Sequence, residues 1–441
     1  MRVFQAFKLR RLLYIMLETG KHEAKIPLTT FQRGKVTMGH KTLLRHRRDF
    51  LRFLAGSPLL AHALSHSAFA QGTPPGDPKF PILAARDALS IMDFEGLARE
   101  ALPPAHWGYM ASGVDDNATL SANIHAYSRI ELRPRRLVDV ARIDYGIELF
   151  GVKYDSPIFL CPVGGQRMFH ADGEVATGRA ARAKNTLQIL STQTSIAVEE
   201  VAKARGMAPW YQLYMPTKWE DAEKLVKRVQ DAGCPAITWT IDNLAGRNLE
   251  TAERFRRLDK RECANCHASS NGGRSNPPMF AGLSATNINP PTATWDLFDK
   301  LRKATTVKLL LKGVETGEDA RIAREHGVDG LIVSNHGGRA TEDLRPTIET
   351  LPEVVEAVGN QIPVLVDGGV RRGSDAFKAL AMGARAVGVG RPYVWGLAAF
   401  GQDGVERVVD ILCAELQRTM RQCGTPTLAQ IKRSSVAPVH L

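Results

Sequence analysis

The chain has no run of about twenty unbroken apolar residues, the length that a membrane-spanning helix requires. Its most apolar N-terminal stretch, residues 53–64, and the residues after it are interrupted by Pro58, His62, Ser65 and His66. A stable membrane anchor is therefore not expected. A strand–GxGxxG–helix fingerprint is also missing, which argues against a nicotinamide-binding domain. Cysteine is sparse, with six in 441 residues, and Cys161, Cys234 and Cys413 sit in apolar patterns that read as core. The net charge of +12 invites a nucleic-acid reading until it is located. Residues 1–70 carry 13 Lys and Arg against 3 Asp and Glu, so the remainder is close to neutral. Nucleic acid is not an expected partner.

The basic segment reads as an export leader. His46-Arg47-Arg48-Asp49-Phe50-Leu51-Arg52 resembles a twin-arginine signal, the apolar stretch 53–64 follows it, and Ala68-Phe69-Ala70 supplies a small-x-small cleavage site before Gln71. Residues 1–70 are expected to direct the folded protein to the periplasm. Residues 1–37 exceed what such a leader needs, which makes Met38 a candidate true start. Residues 71–85 form a Pro/Gly-rich linker around Gly72-Thr73-Pro74-Pro75-Gly76-Asp77-Pro78.

Residues 86–441 read as one domain. Eight short apolar runs follow in order: Ile158–Val163, Gln188–Thr192, Trp210–Tyr214, Ala236–Ile241, Lys308–Leu311, Gly330–Ser334, Val364–Val366 and Ala386–Val389. Between them, segments such as 218–232 and 317–327 repeat apolar residues every three or four positions and close on glycine. Eight β-then-α units predict an α/β protein, a (β/α)₈ TIM barrel, preceded by a helical extension from about Ile91. The loop after the fourth strand, residues 243–294, is too long and aperiodic for an ordinary connection and is expected to be a lid or to lack order.

Three strand ends carry the chemistry. Gly330-Leu331-Ile332-Val333 runs into Ser334-Asn335-His336-Gly337-Gly338-Arg339, Val364-Leu365-Val366 into Asp367-Gly368-Gly369-Val370-Arg371, and Ala386-Val387-Gly388-Val389 into Gly390-Arg391. In a parallel barrel such ends meet at one mouth. Glycines beside arginines after the last two strands suit a phosphate, because bare backbone N–H groups can approach it.

From about Arg86 to Ser435 the chain resembles the FMN-dependent α-hydroxy acid dehydrogenases and oxidases. The resemblance rests on Tyr109-Met110-Ala111-Ser112-Gly113, Tyr211-Gln212-Leu213-Tyr214, Thr240-Ile241-Asp242, Leu311-Lys312-Gly313-Val314, the run from Ser334 to Arg339, that from Asp367 to Arg372, and Gly390-Arg391-Pro392. It implies FMN as cofactor and oxidation of a small L-2-hydroxy acid to the 2-oxo acid. It further implies His336 as base, Asp242 as its partner, Arg339 and Tyr109 on the substrate carboxylate, and Tyr214 near the reacting hydroxyl. Arg247 is the candidate for a second carboxylate contact, although the run after Asp242 is one residue shorter than the family's. On the cofactor side it implies Pro162, Val163 and Gly164 against the ring. Ser191, Gln212, Thr240, Lys312 and Ser334 would lie around the ring's polar edge, with Asp367 on the ribityl chain. Gly368, Gly369, Val370, Arg371, Gly390 and Arg391 would surround the phosphate.

Where the family commonly has alanine, Gly164 stands, read as extra space beside the flavin and as support for a dehydrogenase. The acceptor is expected to be a quinone, a cytochrome or oxygen, with a peroxide-forming oxidase as the alternative. A flavin-dependent isomerase barrel is a weaker alternative of another class. A homo-oligomer, frequently a tetramer in this family, is implied as well. Cys263-Ala264-Asn265-Cys266-His267 is a complete C-x-x-C-H, the pattern for covalent haem c. A disulfide or free thiols is the preferred reading, because nothing like a cytochrome fold surrounds it. No metal site is expected.

Overall fold

The computed structural model describes residues 80–261, 278–284, 287–359 and 361–438. The twin-arginine leader and Cys263, Cys266 and His267 lie outside the described residues. The chain from Pro81 onward makes one folding unit. Short strands flank its barrel: β1 (Ile130–Leu132) pairs antiparallel with a C-terminal strand, and β2 (Ile147–Leu149) with β3 (Val152–Tyr154) forms a hairpin.

Eight parallel strands follow: β4 (Ile158–Leu160), β5 (Leu187–Ser191), β6 (Trp210–Leu213), β7 (Ala236–Thr240), β8 (Lys308–Lys312), β9 (Gly330–Val333), β10 (Val364–Asp367) and β11 (Ala386–Val389). Each pairs with its sequence neighbour, and β11 pairs with β4 to close the barrel. The expected (β/α)₈ architecture is the observed one. The C-terminal partner of β1 is β12 (Val436–Pro438).

Side chains of a strand alternate between its two faces, and the core divides accordingly. Phe159, Ile189, Trp210, Leu310, Ile332, Leu365 and Ala386 pack together inside the barrel, with Ile147, Leu149 and Tyr154 of the β2–β3 hairpin against them. Ile158, Leu190, Tyr211, Ile237, Leu311, Val333, Val366 and Val387 belong to the outer core, beneath the helices. Helix Trp219–Asp231 shows how that layer forms: Ala222, Leu225, Val226 and Val229 are buried, while Glu220 and Asp221 occupy the first turn, favourable to the helix dipole. Among the described residues no helix is long and apolar enough to cross a membrane.

The segment after β7, expected to be a lid or to lack order, has regular structure where it is described. It holds a helix, Glu250–Leu258, none of whose residues is fully buried. Its return leg is fastened to the barrel. The Arg228 guanidinium donates to the Pro278 carbonyl at 2.8 Å, and Ser284 donates to Asp221 from both its N–H and its hydroxyl. Asn289 N–H donates to the Met215 carbonyl at 2.7 Å, and Thr217 N–H to Asn287. Where described, this segment is a braced wall.

Candidate active site

The innermost ring of side chains turns polar at the C-terminal ends of the strands. Two positions beyond the apolar layer lie Cys161, Ser191, Gln212, Lys312, Ser334, Asp367 and Gly388, with Thr240 in the same ring at the end of β7. Above this ring opens a cavity of about 510 Å³. Ser191, Lys312 and Asp367 border it, as do Pro162, Val163, Gly164, Tyr109, Tyr214, Arg247, His336 and Arg339. The run Gly368 to Arg371, with Gly390 and Arg391, borders it too. Gln212, Thr240 and Ser334 stand in the ring without bordering the cavity.

His336 sits in a left-handed conformation (φ 61°), and Gly337 and Gly338 continue that turn. The loop is pinned by a reciprocal amide pair between Asn335 and Asn123, at 2.8 and 3.0 Å. His336 Nδ1 lies 2.8 Å from Asp242 Oδ1, and Nε2 lies 3.1 Å from the Tyr214 hydroxyl. Burial lowers the His336 pKa below its ordinary value and Lys312 lowers it further, against the upward pull of Asp242. A neutral ring donating Nδ1–H to Asp242 keeps the Nε2 lone pair directed at the cavity. Burial alone would raise Asp242, but the neighbouring His336 and the Lys312 ammonium outweigh burial and hold it below its ordinary value.

Lys312 is buried and donates to Ser334 Oγ at 2.8 Å, with Asp242 Oδ2 at 3.6 Å and Asp367 Oδ2 at 3.8 Å. Burial disfavours its charge, but Asp367 and Asp242 raise its pKa above the ordinary value. It is a fixed ammonium beneath the cavity. Ser334 Oγ in turn donates to Asp367 Oδ1 at 2.7 Å, and His336 N–H donates to Ser334.

Arg339, expected on the substrate carboxylate, is engaged by the protein through one of its nitrogens. Its Nη1 donates to the carbonyls of Tyr109 at 2.6 Å and Ser112 at 2.7 Å, which ties it to the helix Pro104–Ala111. Its Nη2 is buried and has no partner among the described residues. The guanidinium lies 4.8 Å above the Tyr109 ring. Arg247 reaches the same place from the segment after β7, with its Nη1 3.4 Å from the Arg339 carbonyl.

At the other end of the cavity the arginines divide. Arg391 donates from all three nitrogens to backbone carbonyls, of Met110, Gly337 and Ser112. Expected on a phosphate, its side chain instead braces two loops in this structure. Burial, then the neighbouring Arg339 and Arg371, push its pKa well down. Arg371 donates to its own neighbour's carbonyl, lies 5.0 Å above the Trp395 ring and forms no ion pair among the described residues.

Sequence reading missed several wall residues: Met168, Gln193, Asn243, Phe280, Asn287 and Ile288 border the cavity. It also misread Gly164. A Cβ there would stand 2.8 Å from Gln193 Cβ and 3.0 Å from its carbonyl oxygen, and Gly165 N–H donates to that oxygen at 2.8 Å. The glycine admits Gln193 and leaves no vacant space for an alanine methyl, so it does not argue for a dehydrogenase.

Comparison with known proteins adds ancestry to this geometry. Residues 98–438 match the family of FMN-dependent dehydrogenases. A peroxisomal (S)-2-hydroxyacid oxidase of Arabidopsis thaliana is 39% identical over 365 residues, covering 79% of this chain and 96% of its own. Glycolate oxidase 1 of Zea mays is 40% identical over 351 residues, covering 79% and 95%. Among solved structures, a mandelate oxidase with (S)-2-phenylpropionate superimposes with a TM-score of 0.71 at 37% identity, covering 80% of this chain and 98% of that one. With fold and motifs matched along nearly the whole described chain, the protein belongs to the FMN-dependent dehydrogenase family.

Proposed function

We propose that the protein oxidises an (S)-2-hydroxy acid to the 2-oxo acid, with electrons leaving to an acceptor other than a nicotinamide. The observation that carries this reading is one cavity bordered both by an imidazole whose Nδ1 is paired with Asp242 and by a buried guanidinium whose Nη2 has no partner among the described residues. A base and an anion donor on the same space match a substrate whose hydroxyl and carboxylate share one carbon.

The residues present fit FMN. Lys312 places a positive charge under one end, and Gln212 Nε2 and Thr240 Oγ1 are buried beside it without partners among the described residues. At the other end Arg371 forms no ion pair among the described residues, and Gly369 allows a close backbone approach. Ser191, Gln212, Thr240 and Lys312 would hold the ring, Asp367 the ribityl chain, and Gly369, Arg371 and Gly390 the phosphate. When bound, FMN supplies the two-electron acceptor for the substrate. His336 Nε2 takes the substrate's hydroxyl proton, and Asp242 stabilises the imidazolium that results. Arg339 Nη2 and Arg247 orient the carboxylate, and the Tyr214 hydroxyl stands beside Nε2 to steer the hydroxyl. An isomerase would share the phosphate end but would have no use for this base and clamp.

The test is anaerobic mixing of the FMN-loaded protein with a panel of 2-hydroxy acids. Bleaching of the flavin absorbance is expected; intact colour with every member would overturn the assignment. A second reading, oxygen as acceptor with hydrogen peroxide as product, is supported by the relatives named above, all called oxidases. Peroxide formed when air is readmitted would select it. Export through the twin-arginine leader and a tetrameric assembly remain part of the proposal. The family match begins at residue 98, so the leader rests on its own sequence.

A further inference from the structure

We propose that Phe255 is a positioning residue: seated in a notch left by Gly108, it fixes the segment 243–258 so that Arg247 faces the substrate carboxylate opposite Arg339. This rests on the functional reading above. Helix Glu250–Leu258 packs on helix Pro104–Ala111. The approach is close enough that a Cβ on Gly108 would meet Phe255 Cβ at 2.3 Å and Cγ at 2.8 Å. These are the root atoms of the side chain, so no rotation of the ring could relieve the clash. Phe255 is the one residue of helix Glu250–Leu258 that packs against the hydrophobic core, and Leu258 is exposed, so this contact is the helix's principal apolar attachment.

Polar contacts at either end set its register. Asp115 N–H donates to the Asn248 carbonyl at 3.1 Å, and Asn248 Nδ2 to Asp115 Oδ1 at 2.9 Å. Asn117 Nδ2 donates to Thr251 Oγ1 at 3.0 Å, and Ala105 N–H to Asp259 Oδ2 at 3.2 Å. Arg247 lies immediately before this clamp, borders the cavity and forms no ion pair among the described residues. The residue after Gly108 is Tyr109, whose ring lies under Arg339. One helix therefore carries both the notch and a wall of the carboxylate site, so seating Phe255 sets the distance between the two guanidinium groups.

The test compares the FMN-loaded wild type with Phe255→Ala, Phe255→Leu and Gly108→Ala. Flavin reduction is followed against (S)-lactate, (S)-mandelate and glycolate. For Phe255→Ala and Gly108→Ala the half-saturating concentration should rise about tenfold while the limiting rate stays within about twofold, the signature of lost uniform binding. Phe255→Leu should recover most of the loss. In an Arg247→Met background Phe255→Ala should add little, because both changes remove the same interaction. Unchanged half-saturation, or full additivity with Arg247→Met, would overturn the proposal. If none of the three acids bleaches the wild type, the functional reading is at fault for these substrates, and the docking is judged by trypsin. Cleavage after Arg254, Arg256 and Arg257 should be faster in Phe255→Ala, and equal rates would refute it.

Discussion

His336 can act as a base because burial and the Lys312 charge favour its neutral form, while Asp242 occupies Nδ1 and Nε2 faces the Tyr214 hydroxyl at the cavity. The sign follows directly. A histidine whose pKa is lowered loses its proton below the ordinary value, so the active form persists above it and is lost on acidification. The acid limb of kcat/KM for flavin reduction should therefore lie below about pH 6.5. His336→Gln should retain bound FMN and its colour yet reduce the flavin about 10²–10⁴ times more slowly, measured by anaerobic stopped flow. A second titrating residue stands behind the site. Burial, with Asp343 and Asp242 nearby, raises Glu315 to about 8, and its Oε2 has no partner among the described residues. A carboxyl raised in the folded state contributes stability that is intact below its unfolded pKa and lost as pH rises through the folded one. Glu315→Gln should consequently lift the melting temperature more at pH 9 than at pH 5. An equal shift at both would place the burden elsewhere.

At the scale of elements, the loop after β10 shows what a glycine can be required for. Gly369 has φ 78°, and a Cβ on it would lie 2.0 Å from the Asn123 carbonyl oxygen, a backbone atom that cannot swing aside. Left-handed strain costs about 1–3 kcal/mol for a non-glycine residue, and the clash adds to it. Gly369→Ala should lower the melting temperature and release FMN on dialysis, whereas wild type retains it. Such turns were legible in the sequence because a buried parallel strand is a continuous apolar run, and its polar successor marks where it stops. Seven of the eight runs thus end within two residues of the observed strands, and Val163 overshoots β4 by three. Helix Glu250–Leu258 was not legible, since Ala252, Phe255 and Leu258 are its only apolar residues, too few over nine positions to stand out in a polar loop, and none is fully buried. The pair β1 and β12 was equally hidden: three-residue strands separated by most of the barrel leave no local pattern. For the same reason Gln193, Asn243, Phe280, Asn287 and Ile288 could not be foreseen as neighbours, because they come from different loops that meet only in the folded barrel.

For the molecule as a whole, the barrel interior is apolar around Trp210 and is packed by the β2–β3 hairpin, while its polar ring and cavity lie at the strands' C-terminal ends. The cavity is lined from the ends of all eight strands and by Tyr109 and Met110 of helix Pro104–Ala111, so a cofactor seated there would be captured by folding. Export of such a protein calls for a route that carries folded cargo, and the leader's Arg47-Arg48 pair, apolar stretch and Ala68-Phe69-Ala70 site match one. Lysine preserves the charge of that pair and removes the guanidinium groups. Arg47→Lys with Arg48→Lys should therefore leave the barrel's folding and FMN binding untouched while stopping its transport. Fractionation of cells making the double mutant should find the protein yellow, active toward 2-hydroxy acids and uncleaved after Ala70 in the cytoplasm. The wild type should appear in the periplasm, shorter at its N-terminus by mass spectrometry. Normal periplasmic maturation of the double mutant would remove the twin-arginine assignment and leave the enzymatic one standing, because the two rest on separate parts of the chain.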